Sequence, residues 1–344
     1  MNITFLVGNG FDINLGLDTR YTDFYPKYLD KGYNDIISNA IADNYDNWAD
    51  LEIALGKLLK NVTPEQVDEF LNSKGRLEGD LAEYLRCQES RLDISGSNLP
   101  NDFRKNIIGF HQEFSVKEQT DFQSWVSTIK ASIVYQFISF NYTKCLDSIV
   151  EIGKTVQPFS SHDSLSGAHY RDSVGTVHHI HGTLDGDLIL GVNDITQIDN
   201  PALQTDSRLV DYIVKAEVNE ALGGQRIETA KQIIDASDYI GVYGMSIGDT
   251  DLMWWHYLLA WLQKKESRRL VLYVYADPSD NPSGQEKLRR INRWKDIFLA
   301  QAGADAELAK KVRGQLIVVV RSKIFNFDSI SVKEQDPEKV LVTV

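Results

Sequence analysis

An apolar run from Ile3 to Val7 passes directly into Gly8-Asn9-Gly10, and this junction narrows the fold more than any other segment. A strand that feeds a glycine-tight turn and then a helix presents backbone N–H groups to an anion, usually a phosphate. Asp12 stands where such a helix could start and Gly16 where it could stop. The segment therefore predicts a nucleotide site within the first residues.

Strand patterns return at 134–140, 176–181, 187–192, 239–245, 270–276 and 315–320, with helical patterns at 225–236, 250–265 and 284–301 between them. Strands alternating with helices predict an α/β fold, a Rossmann-like parallel sheet with helices on both faces. Residues 30–133 carry helical spacings such as Leu51/Leu55/Leu58 and Leu77/Leu81/Leu85. They read as a mostly helical insertion. The expected organisation is an α/β nucleotide-binding domain from 1–29 and 134–330, the insertion 30–133, and a C-terminal tail 331–344.

Composition limits the partners. The net charge of −13 over 344 residues disfavours nucleic acid, because phosphate backbones are bound by basic faces. No apolar run reaches the length of a membrane span. Cys87 and Cys145 are the only cysteines, which excludes a disulfide framework and a four-cysteine zinc module. With no leader pattern at the start, a reducing bacterial cytoplasm is the expected location.

In a parallel sheet covered on both faces, ligands bind at the carboxyl ends of strands. The first such end is Gly8-Asn9-Gly10. Its dinucleotide fingerprint is incomplete, since the third glycine would fall on Ile13, so a standard dehydrogenase is excluded. The next is Phe140-Asn141-Tyr142, where the Asn141 amide could hold a ribose hydroxyl or a water, or cap the helix beginning near Thr143. Then comes His178-His179-Ile180-His181-Gly182. Alternation places His179 and His181 on one face and His178 on the other, which argues against a three-histidine metal site. His181, at the tip, is the best-placed general base. The loop Gly244-Met245-Ser246-Ile247-Gly248-Asp249 has the form of a nucleophile elbow. The sole later histidine, His256, lies in the helix just behind Ser246 and cannot serve it, so small-residue contact with a ligand is the expected use of Gly244, Ser246 and Asp249. Gly153-Lys154-Thr155 is not a P-loop, because Ser148 replaces the first glycine.

Taken in order, these motifs resemble a sirtuin-like NAD-binding fold. More narrowly, Gly8-Asn9-Gly10-Phe11-Asp12 followed by Gly16-Leu17-Asp18-Thr19-Arg20-Tyr21-Thr22-Asp23-Phe24 resembles the AbiH family of bacterial phage abortive-infection proteins. The resemblance implies an anti-phage protein and suggests an NAD glycohydrolase, with NAD as substrate and no metal. It implies that Gly8, Asn9 and Gly10 lie against the phosphates, that Thr19, Arg20 and Tyr21 sit on a mobile loop over the nicotinamide ribose, that Asn141 holds a water or ribose hydroxyl, that His181 is the base, and that Ser246 contacts the phosphate or adenosine side. Asp12 is expected either to cap its helix or to bind ribose hydroxyls. Alternatives are a non-catalytic NAD or ADP-ribose sensing module that binds a protein partner, and a nuclease. Homo-oligomerisation and a phage-derived trigger are the expected modes of control.

Overall fold

The computed structural model describes residues 1–186, 188–222, 224–277 and 282–334. Among the described residues nine strands are formed: β1 (Asn2–Val7), β2 (Leu92–Asp93), β3 (Val134–Ser139), β4 (Ser160–Asp163), β5 (His169–His179), β6 (Ser237–Tyr243), β7 (Arg269–Val274), β8 (Leu316–Val320) and β9 (Ser331–Val332). Seven of them make one sheet in the order β4-β5-β3-β1-β6-β7-β8. All neighbours in it are parallel except β4, which pairs antiparallel with β5 at the edge. Counting only the parallel strands in chain order, the sheet runs 3-2-1-4-5-6. That is the doubly wound order, with its reversal between β1 and β6.

Side-chain alternation along the strands sorts the two faces. Ile3, Phe5 and Val7 of β1, with Phe137, Tyr239, Val271 and Ile317, meet the helices Leu99–Ile108, Val116–Thr128 and Cys145–Gly153. Leu6, Ile138, Ile240, Leu272 and Val318 point the other way, onto the helices Arg226–Asp235, Leu252–Lys264 and Gly284–Gln301. Both faces are thus closed by apolar burial, the main favourable term for such a layer.

A third apolar cluster is built by the helices Tyr21–Leu29, Ile36–Asp43, Leu51–Leu58 and Val67–Ser90, joined by Leu184, Leu190, Val192 and Leu209. Residues 30–133 therefore divide between two bodies of packing. Those up to Ser90 form this helical cap. The helix Leu99–Ile108 instead presents Leu99, Phe103 and Ile107, at four-residue spacing, to the sheet itself.

One expectation fails here. Of the expected strand 187–192, residue 187 lies outside the described residues and 188–192 form no strand; Val192 makes one isolated parallel bridge to Val214, and Leu190 and Val192 are drawn into the cap instead. The segment is apolar because it is buried among helices, and a short apolar run does not distinguish the two cases. In the expected tail 331–344, Ser331–Val332 pairs with Leu92–Asp93, while 335–344 lie outside the described residues.

Candidate functional site

A cavity of about 430 Å³ opens at the carboxyl ends of β1, β3 and β6, beneath the helical cap. Gly8, Asn9 and Asp12 enter it from the first strand end, Asn141 and Thr143 from the second, and His181 from just after β5. Gly244 and Ser246 enter from the end of β6, Thr19 from the loop after the first helix and Tyr21 from the start of the helix Tyr21–Leu29. The cap contributes Asp50 and Glu52.

The glycines are required by close packing. Gly8 N–H donates to the Tyr243 carbonyl at 2.9 Å and Gly10 N–H to the Gly244 carbonyl at 2.8 Å. A Cβ on Gly10 would lie 2.5 Å from Gly244 Cα, and one on Gly8 2.7 Å from the Gly244 oxygen. Gly244 has φ +67, in the left-handed region that favours glycine. The turn therefore locks β1 to β6 at the reversal point. The N–H groups of Gly8 and Gly10 are thus spent on backbone carbonyls, and the helix that follows, Gly10–Asn14, is five residues long.

Asn9 likewise has a partner within the chain. Its Nδ2 donates to the Thr19 carbonyl at 2.9 Å, and Thr19 Oγ1 donates to Asn9 Oδ1 at 2.6 Å. This two-way clamp fixes the loop 15–20 over the glycine turn. Tyr84 adds a bond to the Asp18 carbonyl at 2.8 Å, and Arg91 pairs with the Asp18 carboxylate at 2.8 Å. Arg20 is not among the residues that line the cavity; its side chain is 55% exposed and lies 3.8 Å from Asp23.

Asp12 is almost wholly buried, inside its helix rather than at the cap. Thr143 Oγ1 donates to its Oδ2 at 2.6 Å, while Oδ1 has no partner in the protein. Burial pushes this carboxyl up to about 7; the Thr143 and Asn141 side chains pull the other way, and the Glu89 carboxylate adds to the rise. Asn141 is also buried, and its Oδ1 is unpartnered too. It does not cap the following helix, whose N-cap is Lys144. Two residues that line one cavity thus each carry a buried oxygen with no partner in the protein. Such groups call for a hydroxyl, a water or an N–H from a ligand.

The three histidines go to different duties. His178 Nε2 meets the Arg226 carbonyl at 2.6 Å. His179 bridges the Asn141 carbonyl at 3.0 Å and Asp147 at 2.8 Å. His181 alone lines the cavity, set edge-on to the Phe140 ring with centroids 5.6 Å apart. Burial holds its imidazole well below the usual range, and the Lys215 ammonium adds to this, so the ring is neutral.

Behind His181 lies a buried charged group that sequence reasoning missed. Asp251 Oδ1 is 3.7 Å from His181 Nε2 and 3.9 Å from Lys215 Nζ, and Lys215 donates to Glu52 Oε2 at 2.7 Å. Burial pushes Glu52 up to about 7 despite Lys215 beside it, and its Oε1 is unpartnered. These three residues come from separate elements and carry no local motif. No local signal in the sequence marks Lys215 as buried.

Of the residues singled out from sequence, Asn141, His181, Gly8, Asn9, Asp12, Thr19, Tyr21, Gly244 and Ser246 converge on the cavity. Gly10, Arg20 and Asp249 do not line it. Asp249 is exposed and accepts from Gln301 at 2.7 Å. The neighbouring Thr250 donates to Asp50 at 2.5 Å across to the cap, and neither caps the helix Leu252–Lys264. Among the described residues no group of three His, Cys, Asp or Glu side chains is placed to hold a metal, and no helix is long and apolar enough to cross a membrane.

No curated protein matches the sequence. The profile of the family described as Bacteriophage abortive infection AbiH matches residues 4–273, a span that includes every cavity-lining residue named above. The chain belongs to that family, and its role is in abortive infection against phage.

Proposed function

We propose that this AbiH-family protein acts in phage defence by hydrolysing the nicotinamide–ribose bond of NAD, in a sirtuin-like use of its doubly wound sheet. The observation that carries this reading is the convergence on one cavity of Asp12 and Asn141, each with a buried oxygen that has no partner in the protein, and a neutral His181. An acceptor-rich floor fits the hydroxyls of a ribose. It does not fit a phosphate, which a nearby carboxylate would repel.

The chemistry follows from that floor. Nicotinamide leaves its pyridinium linkage as a neutral molecule, and positive charge develops on the ribose ring. The Glu52 carboxylate, which lines the same cavity, stabilises that charge when ionised in a site of low dielectric. Asn141 Oδ1 orients the attacking water, and His181 takes its proton. Asp251, 3.7 Å from Nε2, then stabilises the imidazolium. The pyrophosphate is directed outward, toward the exposed Ser246 hydroxyl, since Gly8 and Gly10 have no free N–H to offer it.

The deciding experiment is incubation of purified protein with NAD, with and without phage lysate, and measurement of nicotinamide release. Release that is lost in His181→Ala supports the reading. No release under either condition, with no NAD binding by calorimetry, overturns it.

A further inference from the structure

Cleavage of NAD does not require an acid, because its leaving group departs uncharged. Asp12 is nevertheless built as one. It stands at the carboxyl end of β1, 1% exposed, on the cavity that also holds Asn141 and His181. Thr143 Oγ1 donates to Oδ2 at 2.6 Å, which fixes that oxygen as an acceptor. A proton on the neutral acid therefore sits on Oδ1, the oxygen with no partner in the protein.

We propose that Asp12 is a general acid, and that the site therefore also hydrolyses the N-ribosyl bond of nucleosides and nucleotides whose leaving base is uncharged. The inference rests on the water and base assigned above to Asn141 and His181. A purine or pyrimidine leaves as an unstable anion unless its nitrogen is protonated as the bond breaks, which is the work of a general acid. In the step, the C1′–N bond breaks with its electron pair going to the base nitrogen, which takes the proton from Asp12 Oδ1. The water oxygen bonds to C1′ and its proton passes to His181. Proton exchange with solvent then returns Asp12 to the acid and His181 to the free imidazole. The products are ribose, or its phosphate, and the neutral base.

The surroundings suit a group that must hold and release a proton near neutrality. Glu89, from the helix Val67–Ser90, disfavours its ionised form; Thr143, Asn141 and, from β5, His179 favour it; Cys145 is its remaining titratable neighbour. With burial dominant, the carboxyl is pushed up to about 7.

The test uses the full chain with inosine, uridine and inosine 5′-monophosphate beside NAD, measuring free base and nicotinamide. Hypoxanthine and uracil release is expected, falling as pH rises from 6 to 9, with no matching fall in nicotinamide release. Asp12→Asn is expected to lower the ratio of hypoxanthine to nicotinamide release by about 10²-fold or more. Should that variant fail to fold, the two pH profiles of the unaltered protein decide. Nicotinamide release with no base release, pH profiles that fall together, or equal losses on both substrates in Asp12→Asn, overturns the proposal and leaves NAD hydrolysis standing. Base release without nicotinamide release sustains the acid role and overturns the NAD reading. No release from any of these substrates overturns both.

Discussion

Lys215 and Glu52 meet at 2.7 Å, Nζ to Oε2, although 163 residues separate them. The pair ties the helix Lys215–Ala221 to the helix Leu51–Leu58 of the cap, directly behind His181. Both side chains are buried, and removing one partner of such a pair costs about 3–5 kcal/mol when the other stays charged. Glu52 can escape by taking a proton, since burial already pushes it up to about 7. Lys215→Met should therefore destabilise the protein less at pH 6 than at pH 8. Urea unfolding at the two pH values checks this; an equal loss at both would mean that Glu52 does not titrate in the folded chain.

Asp12 gives a second stability effect with a definite sign. Its folded value is raised from 3.8 to about 7, so between these values the folded chain binds more protons than the unfolded one. The contribution is fully present below the unfolded value and is lost as pH rises to about 7. Asp12→Asn removes the slope and keeps an oxygen for Thr143. The variant should gain stability relative to the unaltered protein between pH 5 and pH 8, read as the difference in unfolding midpoint. A constant difference across that range would show that Asp12 titrates normally.

The legibility of the site follows from which interactions are local. The strand-tip residues Gly8, Asn141, His181 and Ser246 could be found because each ends an apolar run, and a parallel sheet gathers such ends on one edge. What the glycines do there could not be read. The Gly8–Gly10 turn reads as a phosphate cradle in the sequence, and the carbonyls that take the Gly8 and Gly10 N–H groups belong to Tyr243 and Gly244, more than 230 residues away. Glu52, Lys215 and Asp251 were missed for the same reason: each sits in an ordinary helical pattern, and only tertiary packing joins them. The division of 30–133 between the cap and the sheet layer was equally hidden, because Leu99/Phe103/Ile107 and Leu77/Leu81/Leu85 carry the same four-residue spacing.

Two glycines separate packing from propensity. Gly244 has φ +67, and an added Cβ would lie 2.7 Å from Phe11 N. Gly244→Ala should cost about 2 kcal/mol or more, from backbone strain and overpacking together. Gly75 is exposed within the helix Val67–Ser90 with nothing within 4 Å of such a Cβ, so Gly75→Ala should stabilise by about 0.5–1 kcal/mol. Thermal unfolding of both variants checks the contrast. A neutral Gly244→Ala would remove the argument that this turn locks β1 to β6.

The neutrality of His181 makes the last expectation a kinetic one. A base of ordinary imidazole pKa would lose half its active form at pH 6.5. Here burial, aided by Lys215, holds the ring well below that value. The pH profile of kcat/KM for NAD should therefore show no inflection near 6.5 from this residue. His181→Ala should lower turnover by about 10²–10⁴-fold, the usual contribution of a positioned base. In Lys215→Met the opposing ammonium is gone while Asp251 remains 3.7 Å from Nε2, so protonation of His181 becomes easier and the acid limb should move up in pH. A profile that does not move in Lys215→Met, measured where that variant is folded, would show that the lysine does not set the protonation of the base.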